Sequence, residues 1–214
     1  MADTLTATNL TISRGGRLLV DGLDLSLKEG TVTALTGPNG SGKTTTAKRL
    51  AAHNHAALVH LPHRPLAIAR REGSPAALAL AYAADMAWAW DNLITPRHKR
   101  GRTVILDRGP LSTLAYQGPA IGDQNAILLA SLATGGTWPD LTIILDVTPD
   151  EATLRQALRG RVEDDYSRLQ QLRAAYHERK NLVGTTVVTV DGSGPLVEVE
   201  KRVVAAIHAS RLSL

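Results

Sequence analysis

Gly37-Pro38-Asn39-Gly40-Ser41-Gly42-Lys43-Thr44 is the stretch whose reading decides the fold. It matches G-x-x-x-x-G-K-[ST] in full, and its neighbours suit the pattern. The β-branched run Thr31 to Thr36 before it reads as a short strand, and Thr44 to His53 after it has helical composition. Glycines let such a loop turn successive backbone N–H groups inward at the positive end of the following helix, which makes a cradle for phosphate oxygens. Lys43 would reach the β- and γ-phosphates, and the Thr44 hydroxyl would hold Mg²⁺. The loop therefore implies a nucleoside triphosphate. It leaves open what becomes of the γ-phosphate, because unrelated activities share it.

Outward from the loop, strands and helices alternate. Leu5 to Ile12 and Leu18 to Leu27 are apolar runs separated by Arg14-Gly15-Gly16-Arg17, a pattern of short antiparallel strands with one buried face. Ala57 to Leu61 reads as a buried strand ending at Pro62, and the Ala-rich segment from Pro75 to Ile94 as a long helix stopped by Pro96. Val104 to Leu106 is a third strand, followed by a loop and a helix from roughly Asp123 to Leu132. Leu141 to Val147 is a fourth, Asp150 to Lys180 is helical with a break near Gly160, and Thr186 to Val190 is a fifth strand before a last helix from Pro195 to about Arg211. This order predicts a three-layer α/β fold with a mainly parallel five-stranded sheet, plus an N-terminal antiparallel β-hairpin. The expected division is a hairpin extension over 1–30 and a catalytic domain over 31–214.

Composition bounds the function. A chain of 214 residues with 43% hydrophobic and 21% charged residues suits one compact domain. The absence of Cys excludes disulfides, thiolate metal sites and cysteine nucleophiles and fits a reducing cytosol. No stretch approaches 18 apolar residues, and Met1 to Leu10 lacks the order of a signal peptide, so a soluble, unprocessed, cytoplasmic protein without a membrane partner is expected. The net charge of +4 is a small field, and 3% aromatic residues are too few to stack on bases, so a nucleic-acid partner is not expected. The densest basic run, Arg97-His98-Lys99-Arg100-Gly101-Arg102, stays open as a solvated loop or a polyanion contact.

Two resemblances follow from the motifs. Asn9-Leu10-Thr11-Ile12, Leu19-Val20-Asp21-Gly22-Leu23-Asp24-Leu25, Gly30 and the loop through Thr45 resemble the start of an ATP-binding cassette. The rest of that machinery is missing: there is no L-S-G-G-Q-like signature and no strand ending in Asp-Glu, and Arg14 stands where cassettes often place an aromatic. Asp107-Arg108-Gly109-Pro110-Leu111-Ser112-Thr113-Leu114-Ala115-Tyr116-Gln117-Gly118 instead resembles the D-R-x-x-x-S-T-x-A-Y-Q-G segment of thymidylate kinases. Leu145-Asp146-Val147-Thr148-Pro149-Asp150, the arginines Arg155, Arg159 and Arg161, Leu172 to Tyr176, and Val190-Asp191-Gly192-Ser193 with Pro195 extend the likeness over roughly 31–210.

The second resemblance implies an ATP- and Mg²⁺-dependent nucleoside monophosphate kinase of P-loop fold, acting on a pyrimidine nucleotide such as dTMP and commonly homodimeric. Gly37 to Thr45 would hold ATP, with Thr44 and Asp107 toward Mg²⁺. Lys43, Asp107, Arg108, Arg159 and Arg161 would carry catalysis, the last two from a lid near 155–168. The acceptor would meet Arg64, Tyr82, Asp85, Arg108, Ser112, Thr113, Tyr116 and Gln117. Tyr82 fits the base-stacking place in a chain without Phe. The chemistry agrees independently, because a phosphate acceptor is already a nucleophile and the enzyme's task is to neutralise and align two polyanions. Alternatives stay open for single residues: Asp107 as a buried structural carboxylate, Arg108 as an ion-pair partner of Asp140 or Asp146, Arg159 and Arg161 as a solvated helix face, Tyr116 as core.

Departures from the family pattern concentrate at the acceptor. Asp85-Met86 stand where an Arg usually donates to the pyrimidine 4-oxo group. Either Asp85 accepts from an amino-bearing base, or it faces water while Arg64, Arg70 or Arg71 takes over the donation. Asn39 and Gly40 occupy places commonly acidic and often Arg, which sends the catalytic arginine to the lid and weakens a contact to the sugar 3′-hydroxyl. His63-Arg64-Pro65 replaces Arg-Glu-Pro, and Trp88 and Trp90 read as pocket wall or core. The competing functions are a nucleoside or small-molecule hydroxyl kinase, a non-kinase cassette-like ATP module, and a nucleic-acid kinase.

Overall fold

The computed structural model describes residues 5–14, 17–27, 30–64, 73–160 and 162–211; for 5–14, 17–27 and 211 the backbone alone is described. The first strands, β1 (Leu5–Arg14) and β2 (Arg17–Leu27), pair antiparallel with Leu5 opposite Leu27 and Arg14 opposite Arg17. They form a two-stranded sheet of their own.

The main sheet follows from strands buried on both faces. All five residues of β3 (Val32–Thr36) and all four of β5 (Val104–Asp107) are buried, as parallel strands between helix layers require. With β4 (Ala57–His60), β6 (Leu141–Asp146) and β7 (Thr186–Asp191) they form a parallel sheet in the order β4-β5-β3-β6-β7. Alternation then separates two cores. Ala34, Leu106 and Ile144 join the cluster that holds Met86, Leu114, Ala126 and Tyr176. Leu35, Ile105 and Ile143 join the one that holds Leu50, Val199 and Val203. The first face is covered by α2 (Pro75–Ala89), α3 (Pro110–Ile121), α4 (Asp123–Ala133) and α6 (Tyr166–Arg179), and the second by α1 (Lys43–His53) and α7 (Leu196–Arg211). The helix α5 (Pro149–Leu158) packs over the phosphate loop. This is the three-layer α/β fold with a five-stranded parallel sheet that the sequence implies.

Register sets the functional edge. Leu35 of β3 and His60 of β4 both pair with Asp107 of β5, so Thr36, His60 and Asp107 end side by side, at the carboxyl edge where such sheets bind ligands.

Two elements differ from the sequence reading. The segment after Asp107 is helix α3 rather than loop: Pro110 at the first helical position fixes φ in advance, and Gly118 and Pro119 sit in its last turns. The long helix after Ser74 does not stop before Pro96. It passes into a π-turn at Trp90–Ile94, where the Thr95 N–H reaches the Trp90 carbonyl, and one more turn runs to His98. A π-turn shifts the register by one residue, which accommodates a proline that has no N–H to donate.

One buried ion pair ties the second helical layer together. Arg49 of α1 meets Glu200 of α7, whose side chain is only 4% exposed. Burial pushes the Glu200 carboxyl up to about 7, against the opposing pull of Arg49. Because this folded value lies above the unfolded one, the contribution to stability is complete below the unfolded pKa of 4.5 and is lost as pH rises through about 7. Glu200→Gln, which cannot ionise, is expected to lose about 1–2 kcal/mol less stability than wild type between pH 4.5 and pH 8 in urea unfolding, so that the difference between the two proteins changes with pH. The same difference at both pH values would contradict this account.

Candidate active site

The phosphate loop is shaped by close approach. Gly37, Gly40 and Gly42 have positive φ, and Cβ atoms at two of them would collide with backbone: 2.5 Å from the Leu145 carbonyl at Gly37 and 2.6 Å from the Ala152 carbonyl at Gly40. The loop therefore threads between the end of β6 and helix α5. No side chain caps the N-terminus of α1, so its leading N–H groups are left for an anion. They face a cavity of about 470 Å³ lined by Gly40, Gly42, Lys43, Thr44, Thr45, Arg108, Gln156, Arg159 and Glu163. Lys43 is 5% exposed, and among the described residues its ammonium has only long hydrogen bonds of 3.3 Å, to the Pro38 carbonyl and Asn39 Oδ1. Burial first, and then the neighbouring Arg108, bring its amine down to about 7. An incoming polyanion would reverse that trend.

Asp107, at the end of β5, accepts on Oδ2 from the Thr44 hydroxyl at 2.6 Å and faces His60 Nδ1 at 2.8 Å. Its Oδ1 is buried and has no hydrogen-bond partner among the described residues. Those residues contain no group of three or more His, Cys, Asp or Glu gathered for a metal. Mg²⁺ needs no such cage, since it keeps several waters and takes a hydroxyl, a carboxylate and substrate phosphates. The Thr44 hydroxyl, which lines the phosphate cavity and gives its proton to the Asp107 carboxylate, fits that ion.

Beside the phosphate cavity lies one of about 520 Å³, whose lining includes Tyr82, Asp85, Ser112, Thr113, Tyr116 and Gln117. Asn39, Arg108 and Glu163 border both. Arg108 adopts a left-handed backbone, φ 72, unusual for a residue with a side chain. Its N–H is fixed to the Leu35 carbonyl at 2.8 Å, its guanidinium donates to Asn39 Oδ1, and it lies 5.0 Å from the Tyr116 ring centroid. It pairs with neither Asp140 nor Asp146. Asp140 accepts from the Val32 N–H, and Asp146 takes two bonds from Arg173 and one from His177. Burial pushes the Tyr116 phenol up, against the opposing pull of the neighbouring Arg108 guanidinium.

Ser112 plays a different part from its neighbours. Its hydroxyl closes a ring with those of Thr36, at 2.7 Å, and Tyr176, at 3.0 Å, which joins β3, α3 and α6 next to the cavity. Asp85, 6% exposed, neither faces water nor stands alone: its oxygens accept from the N–H groups of His63, at 2.6 Å, and Arg64, at 2.8 Å, and so fasten the chain leaving β4. The Arg64 guanidinium lies 3.8 Å from the Trp88 ring and does not line the cavity, while His63 stacks on the same indole. Trp90 is core, donating to Thr137. Arg70, Arg71 and Arg161 lie outside the described residues.

The segment after α5 closes the site from above. Arg155 donates to Glu151 at 2.5 Å and to the carbonyls of Gly192 and Gly194, with longer contacts to those of Gly40 and Ser41, so it ties α5 to two loops. Arg159 borders the phosphate cavity. The buried Gln156 amide holds the backbone of Glu163 and Asp164, and the Asp164 carboxylate accepts from Asn39 at 2.8 Å. A third cavity of about 280 Å³ adjoins the one at the phosphate loop, between α1, α5 and α7, walled by Thr45, Leu158, Arg159, Leu196 and Val199. The sequence reading missed His60, Tyr176, Gln156, Asp164 and this apolar recess. His60 had one usable signal, as a polar residue ending a strand two positions before Pro62.

Comparison with known proteins agrees with this geometry. The thymidylate kinase family model matches residues 35–203. A thymidylate kinase of Desulfosudis oleivorans is 32% identical over 203 residues, covering 81% of this chain and 94% of its own. One of Cereibacter sphaeroides is 33% identical, with 84% and 94% covered, and a probable thymidylate kinase of Pyrobaculum calidifontis is 34% identical, with 85% and 97% covered.

The approach at Gly40 is testable. Gly40→Ala is expected to lower stability by more than about 1 kcal/mol and to weaken nucleotide binding, because strain and collision with α5 add. Gly101→Ala, at φ 72 with nothing within 4 Å of a Cβ, carries the strain alone and should cost less. Equal losses in urea unfolding would mean that α5 moves aside freely.

Proposed function

The chain belongs to the thymidylate kinase family, and we propose that it transfers the γ-phosphoryl of ATP to the phosphate of a pyrimidine (deoxy)nucleotide, such as dTMP or a modified pyrimidine monophosphate, giving the diphosphate. The observation that carries this reading is Arg108, a half-buried residue held by its own backbone on the border of two cavities. A fork between two anions is what in-line transfer between phosphates requires.

In this reading the triphosphate lies on the N–H groups of Gly37 to Thr45, with Lys43 on its β- and γ-phosphates and its base in the recess beside Leu158, Leu196 and Val199. Mg²⁺, taken by the Thr44 hydroxyl and by Asp107 through water, would neutralise charge on the β- and γ-phosphates. Arg108 holds the acceptor phosphate in line and needs no base to activate it. Arg159, with Arg161, would cover the transferring group from a lid spanning 155–168. Asn39 and Asp164 would hold that lid to the phosphate loop. The nucleoside would rest against Tyr82, Thr113, Tyr116 and Gln117, and Ser112 would support that wall through its hydroxyl ring. Residues 31–214 form the catalytic domain and 1–30 an addition to it.

A homodimer, which family membership makes the expected partner, would cover the exposed Leu80, Leu128 and Leu132 on the neighbouring helices α2 and α4. No described helix is long and apolar enough to cross a membrane.

Coupled ADP release across dTMP, dUMP, dCMP and modified pyrimidine monophosphates should show turnover well above the ATPase background with at least one of them; background alone with all would refute the reading. Arg108→Ala should lower kcat/KM for the acceptor by about 10²–10³ while ATP affinity changes little. Equal loss of both would make Arg108 structural. Leu132→Glu should move the protein to monomer mass in light scattering, whereas a wild-type monomer would remove the dimer.

A further inference from the structure

We infer that Asp164 is a specificity-determining residue for the acceptor: its carboxylate, brought by the lid segment rather than by the phosphate loop, accepts a hydrogen bond from the sugar 3′-hydroxyl of the nucleoside monophosphate. The inference rests on the kinase reading above and narrows its acceptors to nucleotides with a free 3′-hydroxyl.

At position 39 the phosphate loop carries an amide in place of an acid, and that amide is consumed by the site itself. Asn39 Oδ1 accepts from Lys43 and Arg108, while Nδ2 donates to Asp164 Oδ2 at 2.8 Å. The negative group that the loop lacks therefore stands across one hydrogen bond from it. Asp164 lines the acceptor cavity together with Asn39 and Tyr116 and does not line the phosphate cavity. Arg108 and Asn39 border both cavities, whereas Tyr82 and Asp85 border the acceptor cavity alone. An acceptor with its phosphate on Arg108 and its base toward Tyr82 carries its sugar between the two, past Tyr116, whose phenol feels the Asp164 charge.

The carboxylate is held in place before any ligand arrives. Gln156, 3% exposed, grips the Asp164 backbone on both sides, taking its N–H at 3.1 Å and donating to its carbonyl at 3.2 Å. With the backbone tied to α5 and Oδ2 tied to the loop, the side chain has little freedom to turn away. A latch alone does not call for a charge, because the Asn39 amide needs only one oxygen to donate to. A carboxylate offers about four acceptor positions, and Asn39 fills one of them. A negative group beside an anionic acceptor repels its phosphate, so what it favours is the part of the acceptor that donates. Between phosphate and base, that part is a sugar hydroxyl, and a hydroxyl bound to a carboxylate is among the stronger hydrogen bonds.

The experiment measures kcat/KM for the monophosphate that turns over fastest in the coupled assay, and for its 3′-deoxy counterpart, in wild type, Asp164→Ala and Asp164→Asn. Wild type is expected to prefer the hydroxyl-bearing acceptor by about 10- to 100-fold. Asp164→Ala should lose about threefold or more of that preference, through slower turnover of the hydroxyl-bearing acceptor while the 3′-deoxy one changes little. Asp164→Asn leaves an oxygen for Asn39 and so preserves the tie between lid and loop; it should lose selectivity in the same direction, and it supplies the comparison if Asp164→Ala fails to fold. An equal loss on both acceptors makes Asp164 a latch and overturns the inference. So does a wild-type preference below threefold, or a preference in the variant within threefold of wild type. Turnover at background with every monophosphate overturns the kinase reading, and this inference with it.

Discussion

Holding the buried Lys43 beside the half-buried Arg108 is the constraint around which the rest of the site is arranged. Burial, and after it the charge of Arg108, brings the Lys43 amine down toward neutrality. Asn39 Oδ1 accepts from both, and the nearby carboxylates of Asp107 and Glu163 supply part of the missing negative charge. A neutral amide oxygen is a weak partner for two cations. The deficit is what a triphosphate and a monophosphate would fill, so the site is organised for charge it does not itself contain. The left-handed backbone of Arg108 belongs to the same design. Strain of about 1–3 kcal/mol is tolerated there because the Leu35 carbonyl, Asn39 and Tyr116 all fix the residue from different sides.

The contact between the phosphate loop and α5 decides where further cations can stand. At Gly40 the backbone of α5 occupies the space of any side chain, so no arginine can project from that position. A further cation facing the phosphate cavity stands instead at the C-terminal end of α5, where Arg159 borders it. Arg155, one turn earlier, is too well occupied by Glu151 and the carbonyls of the β7–α7 loop to serve as well. Sequence spacing counts both as cations of the lid. Their hydrogen-bond partners separate one that ties from one that faces the cavity.

Such distinctions mark the limit of what the sequence made legible. The phosphate loop, the alternation of strands with helices and the Asp107 to Gly118 segment could be read because each depends on residues adjacent in the chain. Helix α3 could not, since Gly109, Pro110, Gly118 and Pro119 resemble loop punctuation; Pro110 falls at the first helical position, where proline is tolerated, and the helix, packed against α4 and α6, runs on through Pro119. The hydroxyl ring of Ser112 uses a tyrosine 64 residues away, and the Asn39 contact uses an aspartate 125 away. No local periodicity records such pairings. Asp85 was legible as a departure, but its role was not, because its partners are backbone amides that carry no sequence signal.

That role constrains how an acceptor base could be read. Two N–H groups close on the Asp85 carboxylate, so removing the side chain would leave both unsatisfied, at about 1–3 kcal/mol each. The residue is thereby committed first to holding the turn after β4, which forms part of the cavity wall through Leu61 and Pro62. Each oxygen still has a lone pair to offer, and a lone pair can meet an amino group but not a carbonyl. On the proposed reading, a base with a 4-oxo group must then find its donor elsewhere. Among the described lining residues the Gln117 amide and the Thr113 hydroxyl are donors at hand, both buried in the wall of that cavity. Discrimination between oxo and amino pyrimidines thus becomes a contest between a carboxylate fixed by the backbone and two neutral donors that can turn. The fixed group is the harder to accommodate, because it cannot rotate away without releasing the turn it holds.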